Sequence, residues 1–274
     1  QPGGNNVTTV IAPAPTTPVA PAPEVVEAAS EDASPALPIL FAGSSPTVSL
    51  ANSCNAVMLQ TSTNGGYTTL ANLSDADFTM KEQFCLARSY AIARGEETMQ
   101  AIAGLTPEQI SEQCSAFGGM LSAQVDAISL RPQAEAEAEM RTFALGTGIP
   151  PADLAATSRV CLAVGYSQDN MEVALGAALM LVTLGEPAYG ELLGHHLRQG
   201  VGTATRNDLA MQWYAASLNA LDTGSPAVFM PSQSERPQLL RAAMTSLSSD
   251  GQQGAITATP QVQPAALPTF EVAQ

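Results

Sequence analysis

His195 and His196 are the only histidines in this 274-residue chain, so an imidazole acting as general base, proton shuttle or metal ligand would have to come from them. Glu191 lies four residues before His195, the spacing at which a carboxylate orients an imidazole on one helix face. No nucleophile motif accompanies them. The chain has no G-x-S-x-G elbow, phosphate loop, dinucleotide fingerprint or H-E-x-x-H. Neighbouring residues on a helix point about 100° apart, so the two rings cannot chelate one ion together. The sequence therefore places the pair in a helix beside Gly194, at least one ring facing outward, with Glu191 and His195 as a surface pair. Glu135, Glu137 and Glu139 alternate with alanines. At i, i+2 they fall on different faces, which reads as a solvated helix rather than paired carboxylates for acid/base work. Tyr189, Trp213 and Tyr214 could line a groove, but core packing is the preferred reading. No catalytic residue, metal ligand or cofactor is assigned, and the chain is read as a non-enzyme.

Cysteine is the other reactive type. Cys54, Cys85, Cys114 and Cys161 make an even count with no C-x-x-C pair. Two disulfides in an oxidising compartment explain them better than four buried free thiols, and all three connectivities stay open. The chain begins at Gln1 rather than Met, which is expected of a protein whose signal peptide has been removed. The expected location is thus the periplasm, the extracellular space or the cell surface.

Charge narrows the partners. Twenty-five acidic against ten basic side chains give −15, and residues 1–80 and 242–274 contain no Lys or Arg. A nucleic-acid binder needs cations on the phosphates, and an anionic membrane surface makes the same demand. Neither partner fits. No run approaches the roughly 18–20 apolar residues of a transmembrane helix. With 45% hydrophobic residues a core is affordable, though only 5% are aromatic, so small side chains must do much of the packing.

The elements follow from spacing. Residues 1–50, with Ala12-Pro13-Ala14-Pro15 and Pro18-Val19-Ala20-Pro21-Ala22-Pro23, read as an extended tether. Within it Leu37, Ile39, Leu40 and Phe41 are candidate anchors on a partner; Phe270 and Val272 play that part in an extended C-terminal tail, 248–274. Residues 51–72 read as an irregular lead-in or a short hairpin around Asn64-Gly65-Gly66. From 73 to 247 the pattern is helical. Gly95 is expected to interrupt the first helix. Thr106-Pro107-Glu108-Gln109 forms a capping box, and Ile110 to Ile128 keep one buried face. Further helices are expected after Pro132, Pro151, Asn170, Pro187, Asn207 and Pro237; the one from Val173 to Val182 is apolar almost all round. The fold class is all-α.

Two internal echoes suggest repetition. Cys85-Leu86-Ala87, Tyr90 and Glu96 parallel Cys161-Leu162-Ala163, Tyr166 and Glu172, and Pro151 and Pro187 begin helices at a helix-pair spacing. Within 187–221, Leu193, Gly194, Gly200, Gly202, Ala210, Trp213 and Tyr214 set out a helix–turn–helix. Gly200 and Gly202 would end the first helix and turn the chain; Leu209, Trp213, Ala216 and Ala220 would press the second against it. This unit resembles a Sel1-like repeat, a relative of the tetratricopeptide repeat, with 151–186 as a degenerate copy. It departs from that pattern at Tyr189, Leu197, Thr203, Arg206, Ser217 and Leu218. The resemblance implies a helix-pair α-solenoid or helical bundle, and an adaptor role, since Sel1-like proteins generally bind other proteins and some serve periplasmic flagellar motors and envelope complexes. The expected function is therefore a structural or adaptor subunit of a multi-protein assembly, with homo-oligomerisation left open. A module binding peptides or peptidoglycan fragments is the alternative, and an envelope enzyme comes last.

Overall fold

The computed structural model describes residues 49–256, which form ten α-helices and no strand. The tether and its anchors Leu37, Ile39, Leu40 and Phe41 lie outside the described residues, as do Phe270 and Val272. In chain order the helices are α1 (Leu50–Thr63), α2 (Ala76–Gln100), α3 (Pro107–Met120), α4 (Ser122–Leu130) and α5 (Gln133–Thr147). They continue with α6 (Pro151–Ser167), α7 (Met171–Thr183), α8 (Gly190–Gln199), α9 (Asn207–Asp222) and α10 (Arg236–Ile256). A 3-10 turn, Pro187–Tyr189, leads into α8. No described helix is long and apolar enough to cross a membrane.

Four boundaries differ from the sequence reading. Residues 50–63 are a helix, so the lead-in is no hairpin there; Asn64-Gly65-Gly66 follow it as a turn. α1 is held from outside. The Ser49 hydroxyl caps it at Asn52 N, and Asp169, a non-glycine residue at φ 54°, accepts from Ser49 Oγ and Ala51 N. At the other end buried Glu82 of α2 accepts from Thr61 Oγ1 and Thr68 N. The single buried face expected from Ile110 to Ile128 is divided between α3 and α4 at Leu121. α10 runs on to Ile256, so the C-terminal tail does not begin at 248. Nor does Gly95 break α2. It is buried within that helix where α2 crosses α6, and a Cβ would strike Ala163 Cβ and the Arg159 carbonyl.

Where local signals were strong the helices start as the chemistry requires. Thr106 Oγ1 accepts from Gln109 N at 3.3 Å while Gln109 Oε1 accepts from Thr106 N at 2.9 Å. Asn170 caps α7, whose Val173 to Val182 are all buried. A helix apolar all round belongs at the centre, and α7 packs against α3, α4, α5, α6 and α8. α2 contacts α1, α6, α8 and α10, and α8 pairs with α9. The cysteines pair Cys54 with Cys85 and Cys114 with Cys161, joining α1 to α2 and α3 to α6.

The α2–α6 crossing yields a paired expectation. Gly95→Ala should destabilise the fold by about 1–3 kcal/mol, because the methyl group has only backbone and Ala163 to push against. Gly119→Ala, in α3 with nothing near its Cβ position, should instead stabilise by up to ~1 kcal/mol. Urea unfolding midpoints moving in the same direction for both would contradict this account of the crossing.

Candidate functional site

The richest cluster of titratable side chains is built around α8. The i, i+4 spacing puts Glu191 and His195 on one helical face, and His196 points to the next. Contrary to the sequence reading, neither ring faces outward: His195 and His196 are both fully buried, and so is Glu191. The reason lies in residues far away in the chain. Phe84 of α2 stacks on His195, with ring centroids 5.1 Å apart, and meets His196 edge-on at 4.9 Å. The expected surface pair is thus an interior one.

Each imidazole has both nitrogens occupied. His196 Nδ1 donates to the Val201 carbonyl at 2.7 Å, which makes Nε2 the acceptor of the Tyr166 hydroxyl at 3.0 Å. His195 Nε2 donates to Glu191 Oε1 at 3.3 Å, and Nδ1 accepts from the Tyr214 hydroxyl at 2.8 Å. The two rings repeat one pattern, a buried phenol on one nitrogen and an oxygen acceptor on the other. Glu191 is completed from α10. Arg236 donates through both terminal nitrogens to its two oxygens, at 2.9 Å to Oε2. The Arg236 Nε then reaches Gln83 Oε1 at 2.7 Å, and Phe229 lies under the guanidinium.

The electrostatics follow from this enclosure. Burial by itself would raise the Glu191 carboxyl, but the charge of Arg236 and the bonds from His195 and Arg236 outweigh it and hold the group at about 2. Burial lowers both histidines, His196 to about 4 despite its bond to Val201. The His195–Glu191 contact is therefore a hydrogen bond from a neutral ring, not an ion pair. Burial likewise pushes the Tyr166 and Tyr214 phenols up, keeping both as donors. A neutral, fully bonded and sealed imidazole has no lone pair to offer a substrate. What this arrangement does is bind α2, α6, α8, α9 and α10 to one another.

Two shallow clefts, of about 190 and 290 Å3, flank the loop before α10, and Arg236 lies on the floor of both. Among the described residues, no group of three or more His, Cys, Asp or Glu is arranged to hold a metal ion.

The remaining sequence candidates fall nearby. Leu193 and Gly194 are in α8, Gly194 against the Tyr214 ring; Gly200 ends α8 at φ 66° and Gly202 turns the chain at φ 69°. Ala210, Trp213 and Tyr214 are buried on α9, and Tyr189 packs edge-on against Phe229. On α5, Glu135 is exposed while Glu137 and Glu139 are half-buried; Glu135 and Glu139 meet Arg131 and Glu137 accepts from Gln133. Sequence reasoning missed Gln83, Glu82 and Arg236. Their only signal was a polar or charged side chain at an apolar-facing helix position. Compared with protein-family models, curated proteins and solved structures, the chain matches none of them.

The protonation states predict how the fold responds to acid. Both histidines have folded values below the unfolded 6.5, so their contribution is complete above that pH and is lost as pH falls below it, for His196 down to about 4. Glu191 follows at lower pH, between its unfolded 4.5 and about 2. For His196 the loss should approach roughly 3 kcal/mol. Thermal midpoints measured from pH 7.5 to 4.5 should fall steadily, and His196→Gln should flatten that slope; a flat wild-type profile would show that the rings are not held neutral.

Proposed function

We propose that the chain is a non-enzymatic structural or adaptor subunit of a multi-protein assembly in the periplasm or at the cell surface. The observation that carries this reading is the saturation of the α8 cluster. All four imidazole nitrogens and both Glu191 oxygens are used inside the fold, so the groups best suited to chemistry serve rigidity instead. Two cysteine pairs at bonding distance, 2.11 and 2.08 Å, fit an oxidising compartment. The helix–turn–helix of α8 and α9 fits the Sel1-like resemblance, in which helix pairs offer a docking face. Pro/Ala-rich stretches outside the helical body would extend its reach to neighbouring proteins.

The test is cross-linking followed by native-mass measurement on envelope extract, using the full chain and a form lacking residues 1–48. The adaptor reading expects a stoichiometric protein partner that is lost or weakened with the shortened chain. A monomer with no stoichiometric partner in either form would overturn it.

A further inference from the structure

Of the chain's asparagines, Asn64 is the only one followed by glycine. Such a pair can modify itself. Glycine has no Cβ to screen its amide nitrogen from the neighbouring carboxamide, and asparagine is among the thermolabile side chains. Asn64 and Gly65 are both exposed in the turn that closes α1. Among the described residues the Asn64 carboxamide has no hydrogen-bond partner, and nothing lies within 4 Å of where a Cβ on Gly65 would stand.

The folded turn holds the two reacting groups apart. Gly65 N donates to the Ser62 carbonyl at 3.2 Å, and Gly66 N to the Thr61 carbonyl at 3.0 Å. Ring closure between Asn64 Cγ and Gly65 N needs Asn64 Cβ nearly eclipsed with that nitrogen. At the observed ψ of −2° Asn64 N eclipses it instead, and Cβ stands a third of a turn away. Two contacts fasten this end of the helix to α2. The hydroxyl of buried Thr61 donates to buried Glu82, and Cys54 pairs with Cys85 farther back along α1.

We propose that Asn64 is a self-modifying site, with water as the other reactant, and that release of the end of α1 from α2 sets its rate. Once the turn opens, the Gly65 nitrogen bonds Asn64 Cγ; its proton and the Nδ2 group leave together as ammonia, giving a five-membered imide. Water then adds to one imide carbonyl and breaks that carbon's bond to nitrogen, leaving an aspartyl or an isoaspartyl linkage at position 64. Either product puts a carboxylate at a helix C-terminus with no basic residue in its last turn, an unfavourable end for an anion. The isoaspartyl form also routes the main chain through Cβ, one atom longer, within the bonds that close the turn. A molecule once opened at α1 is thereby marked, and it closes less well afterwards. Opening that is fast relative to ring closure makes the observed rate the open fraction times the rate of an unstructured chain.

The experiment incubates the full chain at mildly alkaline pH beside a synthetic peptide of residues 60–69. Conversion is located by peptide mass mapping and by isoaspartate-specific methylation. Asn64 should convert before Asn52, Asn55 or Asn72, and in the folded chain it should lag the peptide by about 10-fold or more. Thr61→Val, which removes the bond to Glu82 and keeps both cysteines, should speed conversion about 10-fold. Cys54→Ala with Cys85→Ala should bring the chain toward the peptide's rate. Unchanged exchange protection of α7 would verify that the body of each variant is folded. The proposal is overturned if another of these asparagines converts first, if the folded wild type keeps pace with the peptide, or if either variant converts at the wild-type rate.

Discussion

Arg236→Met should destabilise the protein by about 3–5 kcal/mol at pH 7, a large share of the roughly 5–15 kcal/mol that keeps a domain folded. The guanidinium sits at 4% exposure and neutralises a carboxylate at 2% exposure. Without it Glu191 keeps only the bond from His195, and the burial that tends to raise its carboxyl is no longer opposed by a neighbouring cation. Gln83 Oε1 also loses its donor. Adding Glu191→Gln should restore much of the loss, because the amide oxygen still accepts from His195 while the buried charge is gone. The pH dependence gives an independent reading. In the single variant the folded carboxyl value should rise above its unfolded one, so the deficit relative to wild type should shrink as pH falls. Urea titrations at pH 7 and pH 5 measure both effects. A single variant within 1 kcal/mol of wild type would contradict a charged interior pair.

The same pair marks the limit of what could be read from the chain. The i, i+4 relation of Glu191 and His195 was legible because helix geometry is local. Their burial was not, since it depends on Phe84, Tyr166, Tyr214 and Arg236, which come from four other helices. Gly95 shows the converse error. Its low helix propensity is a local fact, but a close crossing with α6 outweighs that propensity and makes the missing Cβ an advantage. α1 was missed for a related reason. Only Leu50, Cys54 and Thr61 are buried along its length, so it has little apolar rhythm, and it is fixed by Asp169, Glu82 and a cysteine partner supplied from elsewhere. The capping box of α3 and the apolar α7 needed no distant partner, and the sequence placed both. The even cysteine count pointed to two bonds, but choosing among three pairings required knowing which helices touch.

The two bonds should therefore fail differently. Closing loops of 31 and 47 residues corresponds to about 4 kcal/mol each in the chain-entropy treatment. Their neighbourhoods decide how that loss is expressed. With Cys54→Ala and Cys85→Ala, α1 retains two buried residues besides the substituted site and a few hydrogen bonds to α2 and the α6–α7 turn. It should open on its own, exposing its amides to exchange while α7 and α8 keep their protection. Cys114 and Cys161 lie deeper. α3 packs on the central α7 through Gly118 and on α6 beside the bond, so losing this pair removes a constraint on the core itself. Cys114→Ala with Cys161→Ala should lower the global urea midpoint and shorten protection across α3, α6 and α7 together. Reduction of wild type should reproduce the sum of the two patterns. If α1 exchange is unchanged in the first variant, or if alkylation without reductant labels all four thiols, then the bonds do not hold the elements in this way. The outer pair fastens a helix that cannot hold itself, and the inner pair fastens two helices that both pack on the central α7.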